Sequence, residues 1–421
     1  MRVDRSAKSG IRRHKPDYLI VLLTGLLMML GLVIMYSIGP QRAQVLNSVF
    51  ETDNYSSTYF VIKQAISLLL AGMAFFAMSK IPISFFQKHA RTLVIAGLIA
   101  CLILAIAGAT KLPIAQCSLG ACRWFELGPL GTLQPSEFLK FGLLLFVAGF
   151  LALRYKQGEI NNREATLIPL GVLTAVVVVF VVGLQKDMGT GIAVMSILIA
   201  MIFSAGINKR ILAGIAAAVL VMGVMLIAVA PHRMQRVNAF LAGDSSSVDN
   251  AEEYHITQAK IAIGSGGVFG VGIGNSVQAT GYLPEAINDS VFAIMGEVFG
   301  FVGLVAILGI FTTLLLRLLK IADRLKDMSM KLIVVGVFGW LASHIILNVA
   351  AMTGVFPLTG ITLPMLSFGG TSMVFIAGAL GLVFQLSRYT SSEITTEGGA
   401  HEDSRSRRGV GRTRYAHRSR A

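Results

Sequence analysis

Apolar residues along this chain come in blocks of about twenty, separated by shorter stretches that hold nearly all of its charge. Wound as helix, a block of that length matches the roughly 30 Å hydrocarbon core of a bilayer. The blocks fall at Tyr18 to Ile38, Tyr59 to Met78, Thr92 to Ala109, Ser136 to Leu153, Ala165 to Leu184, Gly189 to Ala205, Ile211 to Ala230, Ser290 to Leu319, Leu332 to Met352 and Thr371 to Leu386. They predict an all-α polytopic membrane protein with about ten transmembrane helices. The eighth block exceeds a simple span, which predicts tilt, a break near Gly300 or Gly303, or an extension into water. No internal repeat is visible, so the inverted-repeat architecture of many transporters has no support.

Composition narrows the class further. The 421 residues are 54% hydrophobic and 14% charged, against roughly 25% charged residues in soluble domains. The first block is longer than a signal-peptide core and lacks a small-residue cleavage site behind it, so it reads as a retained helix.

The basic residues orient the helices. Arg2, Arg5, Lys8, Arg12, Arg13 and Lys15 precede the first block, and alternate loops carry Lys80, Lys88, Arg91, Arg154, Lys156, Arg163, Lys209, Arg210, Arg317, Lys320 and Arg324. The positive-inside rule makes that side cytoplasmic, and an even number of spans leaves both termini there. The opposite loops hold only Arg42, Lys111, Arg123, Lys186, Arg233, Arg236 and Lys260, so the large loop from Pro231 to Asp289, between helices 7 and 8, is expected outside. The net charge of +14 then reflects topology and attraction to anionic lipid rather than nucleic-acid binding. Three segments follow: a basic cytoplasmic stretch 1–17, a transmembrane domain 18–388 and a disordered, arginine-rich cytoplasmic tail 389–421.

Three external loops exceed the usual connection length: Gly39 to Thr58, Thr110 to Pro135 and Pro231 to Asp289. The third includes the apolar stretch Ile256 to Ile263, expected to lie along the membrane surface. Cys101 reads as a packing residue, whereas Cys117 and Cys122 share an external loop, where a disulfide is an open alternative to two thiols.

Candidate chemistry sits at the block edges. Glu137 and Lys140 are three apart on a predicted helix and share a face, either organising a polar cavity or simply pairing. Asp187 is placed to cap the sixth helix. Arg123 faces either a lipid phosphate or Glu126. The glycine-dense run Gly264 to Ser276 matches neither the Walker nor the dinucleotide pattern; it serves close backbone approach, either around an anionic group or as a turn packed on helices.

Asp289 precedes the eighth block, where an ionisable group at membrane depth is a functional-site candidate. Asn288 or Ser290 would cap that helix without a charge. Glu297 lies two turns deeper, too far to share a proton with Asp289 as a close dyad does.

Several of these stretches occur together in one known family. Gly272 to Gln278, Tyr282-Leu283-Pro284-Glu285-Ala286 with Asp289 and Phe292, Gly296-Glu297, Arg123-Trp124, Gln134-Pro135-Ser136-Glu137, the Asp187 to Thr190 turn, and Pro357 to Ser372 resemble, in order, the motifs of the SEDS family. These are the shape, elongation, division and sporulation proteins, among them FtsW, RodA and SpoVE. The sequence looks closer to the division branch than to the elongation branch.

The resemblance implies a glycosyltransferase that polymerises lipid II, the lipid-linked disaccharide-peptide of peptidoglycan, outside the bacterial cytoplasmic membrane, with Asp289 as general base. The alternatives are a lipid II flippase or a non-catalytic scaffold that recruits a transpeptidase. Implied partners are a class B penicillin-binding protein, other divisome membrane proteins and membrane lipids, with no nucleic acid. No cofactor is identified and a divalent cation is left open. Arg123, Arg233, Arg236 and Lys260 are the external cations available to a leaving pyrophosphate, and Glu137, Lys140, Asp187, Gln278, Glu285, Glu297 and Ser367 are further substrate or cavity candidates. Ile287-Asn288-Asp289-Ser290-Val291-Phe292 departs from the family's common His-Thr-Asp-Phe-Ile-Phe, Lys186 stands where Pro is usual, and His344 stands where Gln is usual.

Overall fold

The computed structural model describes residues 15–118, 121–126, 128, 131–228, 234 and 251–390. Arg233, Arg236, most of the segment 1–17 and the tail from 391 onward lie outside the described residues. Among the described residues, eight helices are long and apolar enough to cross a membrane. They are α1 (Tyr18–Phe50), α2 (Tyr59–Lys80), α3 (Ile83–Ala109), α4 (Pro135–Lys156), a segment Arg163–Leu184 with α5 (Ile168–Val178) at its centre, α9 (Val291–Arg324), α10 (Met328–Met352) and α11 (Gly370–Leu386). The shorter α6 (Met188–Ser204) and α7 (Lys209–Ala228) occupy the sixth and seventh apolar blocks. A further helix, α8 (Ala251–Ser265), lies in the large loop.

Helices outrun the apolar blocks because a hydrogen-bond ladder does not stop where hydropathy falls. The ladder of α3 begins at Ile83 and passes through Gln87, Lys88 and Arg91. The Gly39 to Thr58 stretch, expected as a loop, is helical as far as Phe50: α1 continues through Pro40 and ends where Glu51 turns left-handed, φ 49°, with its N–H on Asn47 O. One proline removes one ladder donor, and the residues after it contain no glycine to break the helix.

The second long loop departs from the all-α expectation. It folds into a small antiparallel sheet, β1 (Ala115–Ser118), β2 (Ala121–Glu126) and β3 (Thr132–Leu133), in that order. A disulfide joins Cys117 on β1 to Cys122, its register partner on β2. Cys101 is a buried free thiol.

Burial separates the centre from the periphery. The apolar windows of α4, α10 and α11 are each 72% buried, against 17% for α2 and 22% for Arg163–Leu184. Helix α10 packs on α4, α6 and α9, α3 on α4, and α2 along α11. Leu22, Leu69, Phe76, Val172 and Phe301 remain exposed, as side chains facing lipid must be. Helix α8 buries Glu253, His255, Ile256, Ala259 and Ala262 and packs against α9.

The long α9 is broken at Gly300, whose φ of 66° and ψ of −168° are open to glycine alone without strain. A break inside a bilayer strips backbone groups of partners that no water can replace. Here the glycine-rich run supplies them. Val271 N and Gly272 N donate to Glu297 O and Val298 O at 2.9 and 3.1 Å, while Phe301 N and Val302 N donate to Gly267 O and Val268 O at 2.9 and 3.1 Å. These are the four groups that a continuous helix would have paired within itself. The approach is so close that a Cβ on Gly270 would lie 2.2 Å from Val298 O. Of the two roles open to the run, it takes that of a turn packed on helices.

Candidate active site

Asp289 stands at the end of a tight turn that leads into α9. Asn288 N and Ser290 N both donate to Glu285 O, at 2.9 and 3.2 Å, and Glu285 takes a left-handed φ of 49° to allow this. Ser290 is the N-cap residue, yet its hydroxyl does not cap: it donates to Pro284 O at 2.8 Å and meets His255 Nε2 at 2.6 Å. A serine has one O–H, so His255 is the donor in that contact. Asn288 is not the N-cap residue, and its amide nitrogen donates to Glu285 Oε2 at 2.5 Å. Both short side chains stabilise the turn, and the capping expected from sequence is not made.

Three further contacts fix the turn to its surroundings. Asn348 Nδ2, on α10, donates to Asp289 O and to Ile361 O, each at 2.7 Å, and Phe368 N donates to Ile287 O at 2.7 Å. Ile361 and Phe368 belong to the Pro357 to Gly369 loop, which Ser367 holds internally by accepting Leu363 N at 2.8 Å. That loop packs on the start of α6, where a Cβ on Gly189 would lie 2.7 Å from Ile361 Cγ1. The Asp289 turn, α10, α6 and this loop thus form one unit. Asp289 is half-buried.

Asn348, His344 and Trp340 are spaced i, i+4, i+8 and share a stripe of α10 about 12 Å long. His344 Nδ1 lies 3.3 Å from Thr362 O, and Lys140 Nζ stands 4.8 Å over the Trp340 ring. Lys140 is only 1% exposed and pairs with Glu137 Oε1 at 2.8 Å. Glu137 Oε2, Ser136 Oγ, Trp340 Nε1 and His344 Nε2 are buried with no hydrogen-bond partner among the described residues. Buried polar atoms left over in this way mark a place for water or a polar ligand.

The remaining candidates serve other contacts. Glu297 is buried and fully engaged: it accepts Ser276 Oγ at 2.5 Å, Val277 N at 2.9 Å and Gln278 N at 3.3 Å, and so anchors the loop after the glycine run. That loop is also tied to α1, where Ser37 Oγ accepts Gly274 N and Gln41 Nε2 donates to Gly274 O. Gln278 is buried, and its Oε1 has no partner among the described residues. Asp187 caps α6 through Thr190 N at 2.9 Å and also takes Gln134 Nε2 at 3.0 Å. Arg123 does not pair with Glu126 among the described residues; it donates to Lys186 O at 2.8 Å and Gln185 O at 3.4 Å. Lys260 is exposed and its chain passes Gly354 at the end of α10. Among the described residues no three His, Cys, Asp or Glu side chains gather as metal ligands.

Sequence reasoning passed over Asn348 and His255. Asn348 was visible as an amide inside an apolar block, one turn from His344, a spacing that puts both on one face. His255 gave no comparable signal, since its partner Ser290 is 35 residues away.

Together, the polytopic bundle, the broken α9 and the clamped acidic turn define an integral membrane protein with a polar site among its central helices. The chain belongs to the cell cycle protein family of FtsW, RodA and SpoVE, whose family model matches residues 17–392. It is 30% identical over 383 residues to stage V sporulation protein E of Bacillus subtilis, covering 90% of this chain and 99% of that protein. It is 32% identical over 374 residues to the probable peptidoglycan glycosyltransferase FtsW of Nitrosomonas europaea, covering 88% and 92%. Among solved structures it resembles a chain of a peptidoglycan synthase complex, with TM-score 0.69, 26% identity and coverage of 89% and 98%. It also resembles the rod shape determining protein RodA of Thermus thermophilus, with TM-score 0.59, 26% identity and coverage of 89% and 98%. The protein is a multi-pass protein of the bacterial cytoplasmic membrane.

Proposed function

We propose that this protein is a peptidoglycan glycosyltransferase that polymerises lipid II into glycan strands at the outer face of the cytoplasmic membrane, in septal wall synthesis. Relatives along nearly the whole chain bear that activity in their names. In this reading both termini and the tail 389–421 are cytoplasmic, ten helices span the membrane and the Asp289 turn opens outward.

The observation that carries the reading is the double clamp of Asn348 on Asp289 O and Ile361 O, which fixes an acid beside the Pro357 to Gly369 loop. A sugar hydroxyl attacks the anomeric carbon of the lipid-linked donor. Its proton passes to the Asp289 carboxylate, the anomeric bond to the lipid pyrophosphate breaks, and the pyrophosphate leaves with the electron pair. General-base help of this kind is worth roughly 10²- to 10⁴-fold. Arg123, Arg233, Arg236 and Lys260 are the cations from which stabilisation of the pyrophosphate would come. A class B penicillin-binding protein is the partner, by analogy with the complex in which polymerization and crosslinking are coordinated.

The test is polymerisation of lipid II by purified protein with its transpeptidase, comparing wild type with Asp289→Asn. A loss of at least 100-fold with melting temperature and partner binding preserved is expected. Wild-type rates in the Asn variant would remove Asp289 as the base. The buried Glu137–Lys140 pair supports a second reading, precursor translocation. Vesicle scrambling of lipid II that needs this pair and not Asp289 would establish it.

A further inference from the structure

At the face where α1 begins and α9 and α11 end, Lys15, Asp17, Tyr18, Arg317, Lys320 and Arg324 line a cavity of about 360 Å³. Arg317, Lys320 and Arg324 are spaced i, i+3, i+7 and so form one stripe of α9. Among the described residues lining the cavity, Asp17 is the only carboxylate. It is engaged already, accepting Leu19 N at 3.2 Å and pairing with the Arg317 guanidinium. Ser387 Oγ accepts Asp17 N at 2.9 Å, which ties the wall at α1 to the end of α11. The lining therefore carries four cations against one acid, a net +3 from 4 − 1.

We propose that this cavity binds the phosphate of an anionic phospholipid headgroup. The charge selects a phosphate ester, and the position selects a lipid over a soluble ester. Tyr18 lines the cavity and is 64% exposed, and Leu22, one turn further along α1 on the same face, is 65% exposed. Together they offer an apolar track for acyl chains directly beside the cationic group. Basic pockets between helix ends on the cytoplasmic side are sites of this kind. The site is separate from the Asp289 region and does not depend on the reaction assigned to it.

The test is native mass spectrometry of the full chain in detergent with added phosphatidylglycerol, phosphatidylcholine or glycerol 3-phosphate. A single phosphatidylglycerol is expected to stay bound where phosphatidylcholine is lost. Each cation near an anionic headgroup contributes roughly fivefold, so the variant K15Q/K320Q/R324Q should bind about 100-fold more weakly. The charge-keeping variant K15R/K320R/R324K should bind as wild type. Arg317 is left unchanged because it holds Asp17. If the triple glutamine variant does not fold, the single exposed substitution Lys320→Gln, with about a fivefold loss, decides the matter. Equal retention of phosphatidylcholine, wild-type binding by the glutamine variants, or displacement of the lipid by equimolar glycerol 3-phosphate would overturn the proposal.

Discussion

Asn348 donates one side-chain nitrogen to the backbone oxygen of Asp289 at 2.7 Å and to that of Ile361 at the same distance. One amide on a central helix thereby sets the position of the proposed base relative to the loop facing it. Replacing Asn348 by Leu removes both donors, and each buried carbonyl left unpaired costs about 1–3 kcal/mol. Asn348→Leu is expected to lower the melting temperature and to reduce lipid II polymerisation by tenfold or more. Unchanged activity in that assay would show that the clamp does not position Asp289.

The Glu137–Lys140 pair behaves differently under single and double substitution. Lys140→Met leaves a buried carboxylate without its ion partner, a loss of about 3–5 kcal/mol. Glu137→Gln combined with Lys140→Met removes both charges and is expected to recover most of that stability. Thermal unfolding in one detergent, read as a double-mutant cycle, checks it. The polymerisation rate of the double variant then separates a structural pair from one that activity requires.

Gly300 admits no side chain. Alanine there takes a backbone conformation open in practice to glycine alone, at about 1–3 kcal/mol, and its Cβ would stand 2.3 Å from Gly270 N. Gly300→Ala is expected to disrupt pairing between the glycine-rich run and α9, seen as faster backbone amide exchange at Val271, Gly272, Phe301 and Val302. Exchange at wild-type rates would contradict this.

Glu297 anchors a loop through three residues' donors, and glutamine offers one acceptor oxygen in place of two. Glu297→Gln is expected to raise protease cleavage between 271 and 283, with Glu297→Ala more severe. Limited proteolysis of the three proteins under identical conditions gives the order.

The Cys117–Cys122 disulfide closes a short loop, for which chain entropy gives about 2 kcal/mol. Because β2 carries Arg123 onto the carbonyls of Gln185 and Lys186, reduction is expected to loosen that turn as well as the hairpin. Maleimide labelling of intact protein should mark neither Cys117 nor Cys122 until a reductant is added. Labelling before reduction would show free thiols.

Much of the helical architecture was legible because bilayer thickness writes itself into block length. A break near Gly300 was one of three readings open for the long eighth block, whereas the pairing of Glu137 with Lys140 and the cap by Asp187 were local in sequence and readable as such. Helix ends were not, since a ladder continues through Lys88 or Pro40 without regard to hydropathy. The small sheet was missed because its strands are short and follow no strong alternation.

The candidate site divides along the same line. Its motifs could be found in the linear chain, but their employment could not. Ser290 looked like a cap and instead ties Pro284 to His255. Glu297 looked like a cavity acid and instead holds Ser276, Val277 and Gln278.

The sequence by itself determined that this is a polytopic helical membrane protein of a recognisable family, because apolar length, basic flanks and motif order are properties of neighbours along the chain. Only the tertiary structure decided which polar groups meet, because hydrogen bonds are allotted in space. Ser290 has one proton to give and Asn348 one amide to share. Their partners, 6 residues away for Ser290 and 59 and 13 for Asn348, are brought within reach only by the packed fold.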